Sequence, residues 1–229
     1  SGLFSEMVLI DVDKDRAEGE AMDISHGASF AGPMKIYAGG YEDVGDASII
    51  VITAGANQKP NETRLDLVQK NAKIMTDVVT QIKEQEYKGI LLIVSNPVDI
   101  MTQVAMEVSG FPEHRVFGSG TVLDSARLRY HLGQHLGVDS RSVHAFVIGE
   151  HGDSEIAAWS SANVSGVPLN SFCEMRGHYN HEGNTESIEE QVKNSAYEII
   201  AKKDATYYGI AMVVKRICQA IVRDEKSIF

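Results

Sequence analysis

The chain has 229 residues, 43% hydrophobic and 23% charged, an ordinary balance for one large or two modest globular domains with a real core. A formal net charge of −11 excludes nucleic acid and anionic membrane surfaces as partners, because both repel such a chain at long range. An anionic ligand would have to be met by individually placed arginines. Two cysteines, Cys173 and Cys218, have no metal-ligand spacing, and no secretory signal or membrane-length apolar run appears, so a reduced cytoplasmic protein is expected.

In chain order, Met7-Val8-Leu9-Ile10-Asp11 is a short apolar run closed by an acid, followed by a predicted helix over residues 16–24. A short strand at 35–37 precedes residues 47–53, which are continuously apolar and β-branched and so predict a strand buried on both faces. Residues 67–82 carry a helical apolar stripe, 90–94 form a second apolar strand, 100–108 a helix and 115–117 a strand. Strands alternating with helices in this way predict an α/β fold, a doubly wound parallel sheet. Ligands bind such sheets at the carboxyl ends of the strands, here the loops after Ile10, Thr53 and Val94. From Ser119 the texture changes: a long helix over 119–136, a strand over 143–148, a polar loop Gly149-Glu150-His151-Gly152-Asp153, and helices over 187–202 and 207–222. A boundary near Gly118 divides the chain into 1–118 and 119–229.

Several positions suit chemistry. Asp11 ends its strand where a carboxylate can accept from an adenosine ribose, or simply close a turn. Ala54-Gly55-Ala56 would let backbone approach a pyrophosphate, or form an ordinary turn. The polar segment from Asn57 to Arg64 suits a loop that closes over a ligand, with the Arg64 guanidinium offered to a carbonyl or carboxylate, or else a solvated loop. Asp124 and Arg127, three apart on the long helix, share a face, as a surface pair or as two tools of an active site; Arg129 points to another side. His151, in a tight loop after a strand, suits a general acid/base that Asp124 could orient. His131 and His135, four apart, lack the Glu of a His-Glu-x-x-His motif and read as solvated helix residues; no metal site is expected.

The order of these runs is more specific than any one of them. Residues 54–60 with Glu62-Thr63-Arg64-Leu65-Asp66-Leu67, then Ser95-Asn96-Pro97-Val98-Asp99, then Gly118-Ser119-Gly120-Thr121-Val122-Leu123-Asp124-Ser125-Ala126-Arg127, then Ile148-Gly149-Glu150-His151-Gly152-Asp153-Ser154 resemble the L-lactate/malate dehydrogenase family along essentially the whole chain. The resemblance implies a Rossmann-like NAD-binding domain and part of an α+β catalytic domain. It implies hydride transfer between NADH and pyruvate, giving L-lactate, with NAD as cofactor. His151 would be the proton donor, Asp124 its orienting carboxylate, Arg127 the clamp on the substrate carboxylate and Arg64 the group polarising the carbonyl. Gln58, Asn96 and Thr206 would line the substrate pocket. Asp11, Ala54, Gly55, Ala56, Val94 and Asn96 would hold NAD. Gln58 resembles the lactate dehydrogenases, where malate dehydrogenases carry Arg, so malate dehydrogenase is the runner-up. Arg129 and His144 match positions that bind fructose 1,6-bisphosphate in bacterial members, implying an allosteric effector, and the family implies a homotetramer.

The chain departs from the family at four places. Asn61 and Asp204 stand where the family has Gly, and Asn and Asp are the least costly replacements if φ is positive. No Gly-x-Gly-x-x-Gly turn occurs, and the sequence opens after the strand and turn that cradle the pyrophosphate. It ends as a strand of the second domain would begin. The expectation is therefore a chain truncated at both ends, lacking the first and central strand, with a non-catalytic interaction fragment as the rival to an enzyme.

Overall fold

A computed structural model describes residues 2–56 and 63–229, with Arg64 described in its backbone only. The chain forms two compact units, Ser1–Gly118 and Ser119–Phe229.

In the first unit, β1 (Glu6–Leu9) leads into α1 (Lys14–His26), whose start is fixed by Asp13 accepting the Arg16 amide. α1 lays Ala17 and Ala21 against the small sheet that β1 forms with β2 (Lys35–Ala38), paired in parallel. Then come β3 (Ile49–Ile52), α2 (Arg64–Glu84), β4 (Ile90–Ile93), α3 (Val98–Ser109) and β5 (Val116–Gly118). β3, β4 and β5 make a second parallel sheet in that order. Parallel neighbours joined through helices are what the alternating pattern requires. Among the described residues no ladder joins β1 to β3.

α2 begins with a capping box. Thr63 Oγ1 accepts the Asp66 amide at 3.1 Å, and Asp66 accepts the Thr63 amide at 3.1 Å. Met75, Val79 and Ile82 of α2 meet Met101 and Ala105 of α3 and β4, buried over Leu91–Ile93. β3 corrects an expectation: only Ile52 is buried, because β4 covers one edge and no described strand pairs with the other.

In the second unit, α4 (Val122–Leu136) starts three residues later than expected, since Gly120 takes a positive φ and Thr121 is the first flanking residue. The single strand expected over 143–148 is two short ones. β6 (Val143–His144) pairs antiparallel with β9 (Asn163–Val164), and β7 (Val147–Ile148) with β8 (Ile156–Ala157). β10 (Val167–Pro168) completes the first of these sheets, and α5 (Leu169–Met175), α6 (His181–Lys203) and α7 (Tyr208–Val222) follow. Strands of two residues leave too little alternation for sequence patterning to detect. The core joins Leu128, Leu132 and Leu136 of α4 to Val143, Val147, Val164, Ile188 and Val192. Among the described residues, no helix is long and apolar enough to cross a membrane.

Candidate active site

In the second unit, α4 and β7 are locked together before any catalytic group is considered. Thr121 Oγ1 donates to the Val147 carbonyl at 2.6 Å, and the Val147 amide donates to Ser125 Oγ at 2.9 Å. The loop after β7 then turns through Gly149 (φ 95°) and Gly152 (φ 128°), conformations that a side chain would strain. Between these glycines His151 is carried back to the first turn of α4.

There His151 Nδ1 lies 2.6 Å from Asp124 Oδ2, and Arg127 Nη1 donates to Asp124 Oδ1 at 2.9 Å. Asp124 is only 2% exposed, so its charge must be compensated, and both of its oxygens are engaged by cationic partners. The positive end of α4 adds to this. Burial opposes the charge, but His151 and Arg127 outweigh it and hold the carboxyl below its usual range. In turn the Asp124 hydrogen bond, followed by Glu155, pushes His151 up to about 10. An ionised Asp124 can only accept, so Nδ1 bears the hydrogen, and any proton that His151 exchanges passes through Nε2. Arg127 commits Nη1 to Asp124. The pair is therefore a buried one, not the surface bridge that spacing alone allowed.

Asp124, His151 and Glu155 also bring three ligand atoms within 4.8 Å of one another, a distance compatible with a metal ion. The short Nδ1–H to Asp124 bond places a proton where a metal would need the nitrogen lone pair, and the cluster is satisfied as an imidazolium between carboxylates.

The first unit presents a different set. At the carboxyl ends of β3 and β4, Ser95 Oγ donates to the Ala54 carbonyl at 2.6 Å. Asn71 of α2 accepts the Ala56 amide at 2.8 Å and donates to the Asn96 carbonyl at 2.9 Å. Ala54, Gly55 and Ala56 are thereby tied to Asn96, whose side chain is exposed, with Val94 beneath it donating its amide to Ile52. Asp11 is exposed beyond the end of β1 and accepts the Asp13 amide at 2.9 Å, so it serves the turn while its carboxylate faces solvent. A small-residue loop and an exposed acid at strand ends suit the phosphate and ribose portions of a dinucleotide.

Thr206 stands between α6 and α7. Asp204 closes α6 at φ 68°, the left-handed conformation anticipated where the family has Gly. Arg129 donates Nε to the Ala145 carbonyl at 2.9 Å and stacks on Phe146, while His144 is exposed in β6. Gln58, Asn61 and the side chain of Arg64 lie outside the described residues. His131 and His135 are part-buried, not solvated: His131 meets Ser195, and His135 stacks on His178 with centroids 4.2 Å apart. Three contributors escaped sequence reasoning. Asn71 acts through backbone bonds that leave no motif, and Ser95, though inside a recognised run, was given no role of its own. Glu155 was discoverable from alternation, since Glu155 and Ala157 fall on one side of β8 and exposed Ile156 on the other.

A parallel α/β unit with a small-residue loop at its strand ends, and a second unit whose buried Asp124 carboxylate is held by His151 and Arg127, are features of an α/β enzyme. Residues 1–118 match the lactate/malate dehydrogenase NAD-binding domain, and residues 121–229 match the α/β C-terminal domain of the same family. An L-lactate dehydrogenase of Acetivibrio thermocellus is 51% identical over 228 residues, covering 100% of this chain and 72% of the relative. An L-lactate dehydrogenase 1 of Clostridium acetobutylicum is 51% identical over 99% of this chain and 72% of its own. The crystal structure of a lactate dehydrogenase from a Medee basin deep-sea metagenome superposes with a TM-score of 0.96 at 48% identity, covering 100% of this chain and 73% of that one. The ligand-bound minor L-lactate dehydrogenase of Enterococcus mundtii gives 0.94 at 45%, covering 98% and 72%. The chain belongs to the lactate/malate dehydrogenase family.

Proposed function

We propose that this protein is an NAD-dependent L-lactate dehydrogenase, interconverting pyruvate and L-lactate. The observation that carries the reading is the 2.6 Å bond from His151 to a buried, ionised Asp124 that also holds Arg127. When bound, the nicotinamide supplies or accepts the hydride. Arg127 clamps the substrate carboxylate through its two remaining nitrogens. His151, protonated and held by Asp124, gives its Nε2 proton to the keto oxygen as negative charge grows there. In the reverse direction neutral His151 takes the hydroxyl proton. By the family resemblance Asn96 and Thr206 would contact substrate, Arg64 would polarise the carbonyl and Gln58 would leave a second substrate carboxylate without a cation. That last point favours pyruvate over oxaloacetate. Asp11, Ala54, Gly55, Ala56, Val94 and Asn96 hold the cofactor, so 1–118 is the cofactor-binding part and 119–229 the part for acid–base chemistry.

Activation by fructose 1,6-bisphosphate at Arg129 and His144, and assembly as a homotetramer, belong to the same reading. Arg129 already spends one nitrogen on Ala145 but retains the rest of its fork, and exposed His144 lies on the adjacent strand. NADH oxidation by the purified protein with pyruvate or oxaloacetate, with and without fructose 1,6-bisphosphate, tests the set. Turnover with pyruvate well above oxaloacetate is expected, rising with the bisphosphate. A preference for oxaloacetate would make it a malate dehydrogenase. No NADH binding and no turnover would leave the interaction-fragment alternative.

A further inference from the structure

Asp124 is not the only carboxylate facing His151. Glu155, four residues on, brings Oε2 to 3.7 Å from His151 Nδ1 and is itself only 4% exposed. Alternation into β8 turns it inward just before the strand, where it lines a small cavity with Ala157, Val147 and Val192. Its other contact is the Gly152 amide, donating at 3.4 Å within the His151 loop. Among the described residues, His151 is the one cation within 4 Å of this buried carboxylate. Placing an acid on an apolar face costs free energy unless a charge answers it. A single Nδ1–H cannot point along two short bonds. Asp124 takes the hydrogen at 2.6 Å, and Glu155 acts on the ring by charge while bracing the loop through Gly152.

We propose that Glu155 is a positioning residue for His151, a second buried carboxylate that shares the imidazolium charge with Asp124 and sets the pH range of keto-acid reduction. This rests on His151 being the proton donor. The other charged groups nearby are already matched. Arg127 on α4 is bonded to Asp124. On α6, Tyr197 donates to Asp153, and Lys193 is paired with Glu189 at 3.1 Å beside the cavity that Glu155 lines. The upward displacement of His151 has Glu155 as its second contributor after Asp124. The consequence for catalysis is an imidazolium that persists at alkaline pH, ready when the keto acid arrives. The same two charges make neutral His151 a stronger base for the hydroxy acid.

Glu155→Gln keeps the shape and removes the charge. Two readouts are compared with the parent protein: the alkaline limb of kcat/KM for pyruvate reduction, and the His151 titration followed by NMR. Both are expected to move down by about one to two pH units, the scale of one partly screened charge at this separation. KM for pyruvate should change little, since Arg127 and Asp124 are untouched. Glu189→Gln, a control on the far side of the same cavity, should leave both readouts in place. Limbs within about 0.3 pH unit of the parent in Glu155→Gln would overturn the proposal, as would an equal fall in Glu189→Gln. Should Glu155→Gln fail to fold, Glu155→Asp decides. It keeps the charge but withdraws it by one methylene, so a titration between parent and ordinary histidine supports the role and an unchanged one refutes it. If the parent never turns over pyruvate, the functional reading fails, while the NMR titration still decides whether Glu155 governs His151.

Discussion

Changing Asp124 to Asn tests the active-site account most directly, because the replacement is nearly isosteric yet removes the charge. The carboxylate lies 2.6 Å from His151 Nδ1 and is 2% exposed, so water does little to screen the pair. Two unit charges about 4 Å apart at an effective dielectric of about 20 interact by roughly 4 kcal/mol, about three powers of ten in a protonation equilibrium. That is enough to bring His151 from about 10 most of the way to the ordinary histidine range, with Glu155 still opposing part of the fall. At pH 7.5 an ordinary histidine is only about one-tenth protonated, so pyruvate reduction falls about tenfold from protonation alone. The Asn amide also donates to Nδ1 as readily as it accepts, which favours the wrong tautomer, so the full loss in kcat/KM is expected at about 10²–10⁴-fold. The tenfold part should return at pH 5.5, and the tautomer part should not. Stability gives an independent check. His151 is raised on folding, so its contribution is complete below its unfolded value near ~6.5 and disappears as pH climbs through about 10. Asp124 is lowered, so its contribution is present above about 4 and disappears only as pH falls through its folded value. Urea denaturation of the parent should therefore weaken between about pH 6.5 and 10, and that slope should flatten in Asp124→Asn. Initial rates of NADH oxidation from pH 5.5 to 10 supply the kinetic half. A variant within threefold of the parent at pH 7.5, with its alkaline limb unmoved, would refute the reasoning.

Two further substitutions separate binding from packing. Arg127→Lys keeps the charge but loses the planar fork, so kcat/KM for pyruvate should fall about 10–100-fold, mostly through KM, in steady-state kinetics. A fall confined to kcat would mean that Arg127 serves Asp124 and does not clamp substrate. Leu132→Ala, at a site 1% exposed in the α4 core, should destabilise the second unit by about 2–5 kcal/mol, read as a lower urea midpoint at unchanged slope.

The sequence made the chemistry more legible than the strands that carry it. His151, Asp124 and Arg127 were nameable because each sits in a polar or glycine-bearing run at a helix start or strand end, where local chemistry leaves a pattern. α2 starts three residues before its apolar stripe, because the cap made by Thr63 and Asp66 and not the stripe sets its first turn, while Asp204 was readable as one of the few residues that tolerate a positive φ. The one-strand expectation over 143–148 failed because tertiary pairing, not periodicity, ends β6 and starts β7 around Ala145 and Phe146. Asn71 was invisible for a different reason. It works through the backbone of Ala56 and Asn96, 15 and 25 residues away, and no run of neighbours encodes that distance.

The same contrast explains why Glu155 escaped notice beside a histidine that drew attention at once. A glutamate before a short strand reads as a solvated charge, since Glu is almost never buried without a partner. Its partner here is the catalytic candidate itself, reached only because Gly149 and Gly152 fold the loop back on α4. Burial of an acid is unfavourable in isolation and becomes tolerable through the imidazolium, so the stability of the β7–β8 corner and the protonation of His151 are one quantity seen from two sides. Whatever raises the affinity of His151 for its proton also tightens the loop that presents it.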